Sequence, residues 1–179
     1  MDLRQLLLEE KKRMGFISVA RLVELVTAES VAARLAFRGF HNDSPAVSAI
    51  VSTARKLFAI LVLLELEHQA PALIRSGKSD SMFPIDETDI PPFETQHHLQ
   101  AFFSEQWIIP PRFDRDKHLE FSGATVLPFL EKERANNGTF GVLYKVRLAD
   151  GHLDGYSSVL QMLSMLPLNT EPHRTTFLP

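Results

Sequence analysis

At 179 residues, with 45% hydrophobic and 23% charged side chains, the chain has the length of one domain, or of a helical unit with a small appendage, and the composition of an ordinary globular protein. A formal net charge of -3 gives no ground for a nucleic-acid or anionic-membrane partner. The absence of cysteine excludes disulfides, thiolate catalysis and Cys-based metal sites, and together with an N-terminus that lacks the basic-then-apolar order of a secretory signal it favours an intracellular setting, cytoplasm and nucleus not being distinguished.

The first forty residues read as two or three short helices. Leu3, Leu6, Leu7 and Leu8 precede a charged run that Gly15 ends. Residues 16–26 space Ile17, Ala20, Leu22, Val23, Leu25 and Val26 at helical intervals behind Ser18, a candidate cap. Thr27 to Ser30 offers a second cap ahead of Val31, Leu35 and Phe37, with Gly39 as the stop. Asp43-Ser44-Pro45 then places a cap and a proline before the longest apolar-periodic run. Its stripe of Val47, Ile50, Val51, Ala54, Leu57, Phe58, Leu61 and Val62 predicts one helix of about five or six turns. Its apolar end is too short to span a bilayer, which takes about twenty residues, so it reads as a buried core helix.

After Pro71 the pattern loosens. Residues 72–75 suggest one turn, residues 76–81 a loop, and the prolines near Asp86, Glu87 and Asp89 deny a long helix there; these carboxylates lack the ligand spacing of a calcium site, and no metal is expected. Residues 93–107 read as another helix. It carries His97 and His98, whose side chains diverge by about 100° on a helix and so do not share one ion; they are expected at the surface or its boundary. Residues 107–113, with Pro110 and Pro111, form an extended connector. Residues 118–121 suggest a short strand with a turn at Ser122-Gly123.

The stretch from Ala135 to Val146 stands out, because Gly138 and Gly141 interrupt a strand-like run with Phe140 between them. Two readings suit it. One is a β-hairpin whose turn is Asn136-Asn137-Gly138-Thr139, since Asn and Gly accept positive φ. The other is a loop whose bare backbone approaches a nucleotide phosphate.

With residues 125–130 read as a strand ahead of it, the segment resembles the opening of a protein-kinase catalytic domain: first strand, glycine-rich loop, second strand. The match extends back to residue 45 in the manner of kinase-like proteins of filamentous fungi, through residues 54–63 and 103–113, though only the loop is specific. The resemblance implies G-x-G-x-x-G-x-V over the ATP phosphates. Asn136 stands at the first glycine, Gly138 and Gly141 at the second and third, Thr139 and Phe140 at the loop tip, and Leu143 replaces the valine that packs on adenine. Asn at the first position is a mild departure, since it enters left-handed conformations readily.

The resemblance also implies what is missing. A kinase needs a third-strand lysine, a helix glutamate and two later aspartates. No lysine follows Lys145, and a third strand over residues 158–163 would put the neutral Gln161 at that position. The resulting expectation is a mainly α chain: a helical module with its connector (residues 1–113), a partial kinase-like N-lobe of small antiparallel strands (114–166) and a flexible tail (167–179). Its function would be that of a truncated kinase-like protein with weak ATP binding at most and no phosphate transfer. The alternative is a helical protein-interaction module, meeting its partner through residues 93–113, with a structural hairpin that never meets nucleotide. Ser-His-Asp catalysis has no nucleophile elbow to support it.

Overall fold

The computed structural model describes residues 2–41, 43–86, 89, 93, 95–113, 120–121, 125–138, 141–153, 161–165 and 175–176. It is mainly helical, with a small antiparallel sheet. The chain divides into two compact units, one of Met1–Ile17 with Arg21–Ile109 and the other of Ser18–Ala20 with Pro110–Pro179.

The helical unit is built from α1 (Leu3–Met14), α2 (Val19–Leu25), α3 (Ala28–Phe37), α4 (Ser44–Thr53), α5 (Arg55–Leu63), α6 (Ala70–Arg75) and α7 (Gln96–Glu105). Its caps are the ones the residue pattern asks for. Gly15 closes α1. Thr27 and Ser30 form a reciprocal capping box on α3, each side chain accepting from the other's backbone N–H. Asp43 caps α4 by accepting from the Ala46 amide at 3.2 Å, with Pro45 in the first turn. The helix expected over residues 93–107 is α7, shorter at both ends, and Thr95 caps it by accepting from the His98 amide.

The expected long helix over residues 44–63 is instead two helices, α4 and α5, bent by 106° at Ala54. Ser52 Oγ and Thr53 Oγ1 donate back to the carbonyls of Ser48 and Ala49, a pattern that bends helices. A new N-terminus is then stabilised from far away in sequence: Asp80 accepts from the amides of Lys56 and Leu57, both at 2.9 Å. The bend lets α5 become the centre of the unit. Every residue from Leu57 to Leu63 is buried, with α1, α4, α6 and α7 packed around it, which is why its sequence is apolar all round. Among the described residues no single helix is long and apolar enough to cross a membrane.

In the other unit β2 (Phe129–Gly138) and β3 (Gly141–Leu148) form an antiparallel hairpin, with register irregularities between Phe129 and Glu131 and between Arg134 and Asn136. The first strand therefore starts at Phe129; residues 125–128, expected in it, lie outside. The charged run 131–134 is exposed throughout and pairs with Tyr144 to Arg147. The sheet order is β1 (Glu120–Phe121), β5 (Thr175–Thr176), β4 (Gln161–Met165), β3, β2. The strand expected from residue 158 is β4, which begins at Gln161 in the described set. Thr175 and Thr176, within the stretch expected to be tail, pair with β1 and β4. Phe113, Val146 and Leu148 make a small core, with Leu127, Phe129, Tyr144 and Leu153 against it.

Candidate functional site

The hairpin end holds the candidate nucleotide residues. Gly138 and Gly141 are register partners, so the strands are joined by two residues, and Asn136 faces Leu143 two pairs further in. Asn136, Gly138, Gly141 and Leu143 are thus gathered at one end of a two-stranded ladder. Thr139 and Phe140 lie outside the described residues. The predicted turn at Asn136-Asn137-Gly138-Thr139 is corrected: Asn136, Asn137 and Gly138 are the last strand residues, paired with Leu143, Val142 and Gly141. A connection of two residues after Gly138 extends the ladder by those pairs, whereas a turn centred on Asn137 would give them up.

Down the hairpin, charge is arranged in cross-strand pairs. Arg147 donates to Glu131, which holds the Glu131 carboxyl below its usual range and lifts the Arg147 guanidinium above its own. Lys132 Nζ sits 4.2 Å from the Tyr144 ring centroid, and Glu133 is opposite Lys145. On β4, Gln161 pairs with Val146. Behind β3, His152 is fully buried; its Nε2 accepts from the Val19 amide at 3.1 Å and its Nδ1 lies 3.0 Å from the Pro111 carbonyl, an arrangement that fits the neutral Nδ1–H tautomer.

Two clusters in the helical unit carry chemistry that sequence reasoning missed. In the first, Glu67 is wholly buried and its Oε1 accepts from Arg34 at 2.6 Å and from Arg38 at 3.0 Å, while Oε2 and Arg34 Nε are buried without a partner. Both guanidiniums also lie over the ring of Phe37, 5.6 and 5.7 Å from its centroid, and that ring is 74% exposed. In the second, Lys56 Nζ stands 4.4 Å from the Phe83 ring centroid beside the Asp80 cap. Burial, opposed in part by the nearby Asp80 charge, lowers the Lys56 pKa to about 8. Burial also raises that of Asp80, against the hydrogen bonds from the Lys56 and Leu57 amides. Neither cluster has a sequence signal, because Asp80 and Glu67 reach partners more than twenty residues away.

His97 is exposed and His98 half-buried, their rings 6.3 Å apart. Among the described residues no three His, Asp or Glu side chains are grouped to hold a metal ion. Phe102, Ile108 and Ile109, in the stretch expected to meet a partner, are buried in the helical core. Among the described residues the exposed large hydrophobics are Val23 and Phe37, outside that stretch. No protein-family model, curated protein or solved structure matches the chain.

Proposed function

We propose that this chain is a kinase-like protein that binds ATP weakly at the Gly138–Gly141 turn and does not transfer phosphate. The observation that carries the reading is the register pairing of Gly138 with Gly141 across a two-residue connection. Two residues without Cβ flank the tip, so backbone N–H groups there can approach a phosphate closely. The pairing of β4 with β3 supports the second half. Its first described residue, Gln161, is a neutral amide where the resemblance asks for a lysine. An amide can hydrogen-bond a phosphate oxygen but does not supply the charge on which phosphoryl transfer depends.

Titration with a fluorescent ATP analogue, with and without magnesium, tests the binding. Weak saturable binding is expected, and it should disappear in both Gly138→Val and Gly141→Val. A parent protein that gives no saturation at millimolar analogue, or valine variants that bind as the parent does, would overturn it. Turnover of radiolabelled ATP above a mock-purified control would overturn the second half.

A helical interaction module is the second reading, and Phe37 favours it. An aromatic ring three-quarters exposed, beside two arginines that are paired with the buried Glu67, has the residue types enriched at protein interfaces.

A further inference from the structure

We infer that Lys56 is a selectively acylated lysine: its side-chain amine, held at the start of α5 against Phe83, reacts with an activated acyl donor such as a thioester ahead of the exposed lysines Lys12 and Lys145.

Three geometric facts point there. Lys56 is the second residue of α5, where the helix dipole presents its positive end and disfavours an ammonium. Its side chain is half-buried, which costs the ammonium part of its hydration, and the Phe83 ring 4.4 Å from Nζ returns only a weak cation-π attraction. The neighbouring carboxylate does not bond the ammonium: the two oxygens of Asp80 accept from the Lys56 and Leu57 backbone amides, leaving only a through-space attraction. Among the described residues Asp80, from the 3-10 turn Asp80–Met82, is the titratable group that acts on the amine electrostatically. Adjacent Arg55 is turned to the Val26 carbonyl. The surroundings therefore favour the neutral amine more than at an exposed lysine, in line with its lowered pKa of about 8. The N-terminal turn, Phe83 and Asp80 all belong to the helical unit, so the inference does not depend on the nucleotide reading.

The step is an ordinary acyl transfer. The lone pair of neutral Nζ attacks the thioester carbonyl carbon, an N–C bond forms and the C–S bond breaks. The sulfur leaves with the electron pair, and the proton lost by nitrogen goes to the thiolate or solvent. No redox change occurs. The product amide is uncharged, which relieves both the burial and the dipole cost of the ammonium.

The test is reaction of the folded protein with S-acetyl-N-acetylcysteamine between pH 6 and 10, with site-by-site quantification by peptide mass mapping. Exposed Lys12 and Lys145 serve as internal references. At pH 7, Lys56 should acetylate on the order of tenfold faster than either, because a larger fraction is neutral. Its rate should level off near pH 8. Asp80→Asn, which removes the carboxylate that favours the ammonium, should raise the Lys56 rate at pH 7 further; in protein unfolded by guanidinium the three lysines should react alike. Equal rates in the folded protein, a Lys56 profile parallel to that of Lys12, or a Lys56 that stays unmodified while the references react, would each overturn the inference.

Discussion

Replacing Lys56 by Met isolates the thermodynamic cost of holding an ammonium against Phe83. In the folded chain the amine has a pKa of about 8 rather than 10.5. Below pH 8 both folded and unfolded chains carry the proton, and the full cost of the buried charge weighs on the fold. Between pH 8 and 10.5 the unfolded chain binds more protons than the folded one, so stability rises with pH. Above 10.5 both are neutral and the cost is gone. The interval, at 1.36 kcal/mol per pH unit, is worth about 3 kcal/mol. The ring contact is already part of the folded environment, and Met keeps comparable bulk on it. The expected result at pH 7 is a variant more stable than the parent by roughly 1–3 kcal/mol, with a gap that narrows by up to about 3 kcal/mol as pH goes from 8 to 10.5. Guanidinium unfolding followed by circular dichroism at 222 nm, at half-unit pH steps, measures the difference. Subtracting variant from parent removes the titrating groups that Lys56 does not act on; Asp80, whose carboxylate the Lys56 charge favours, is the exception. Parallel stability curves across that interval would show that Lys56 is solvated like any surface lysine, and the reasoning would fail.

Glu67→Ala should cost about 3–5 kcal/mol, because it leaves Arg34 and Arg38 without their shared buried carboxylate; a melting temperature within two degrees or so of the parent would contradict this. Gly151→Ala acts on the other unit. Gly151 has φ +82° and a Cβ there would lie 2.8 Å from the Ala20 nitrogen, which donates to the Asp150 carbonyl. The strain and the clash with backbone should destabilise the turn by about 1–3 kcal/mol. Amide exchange in peptides covering residues 141–153 should quicken in that variant while exchange in α5 is unchanged, and unaltered protection at 141–153 would refute it.

Much of the helical unit was legible because its ends are fixed by neighbours in sequence. Thr27 with Ser30 and Asp43 with Ala46 are each three residues apart, so the cap and the helix are read together; Thr95 stands in the same relation to His98 but was read as part of the helix it caps. The break at Ala54 was not legible, since the carboxylate that starts α5 comes from Asp80, 24 residues downstream. Before the bend is known, residues 47–62 fit one helical stripe equally well. The hairpin was visible from its glycines and alternation, and the turn was misplaced by two residues because Asn136 and Asn137 have strong turn propensity that the added ladder pairs outweigh. Lys56 gave no signal at all, for it follows Arg55 in what reads as the polar face of a helix. Only the bend and Phe83 make it unlike its neighbour.

A hairpin turn and a phosphate-covering loop both suit glycines flanking the tip, so the pairing of Gly138 with Gly141 alone does not separate them. Charge does. Residues 129–148 carry four cations and two carboxylates, but the nearest of the cations, Arg134 and Lys145, are each four residues from the paired glycines, about 13 Å along a strand at 3.3 Å per residue. That exceeds the Debye length of about 8 Å at physiological salt. Arg147 is in addition bonded to Glu131. A triphosphate at the turn would then be held mainly by backbone N–H groups, with little help from side-chain charge, which is the physical reason the affinity is placed low. It also fixes how the nucleotide titration should respond to salt. With the hairpin's own cations about 13 Å along the strands from the paired glycines, raising NaCl from about 0.15 to 0.5 M should change Kd by less than about threefold. A steep salt dependence would mean that a lysine or arginine reaches the phosphates after all, and that binding does not rest on backbone N–H groups alone.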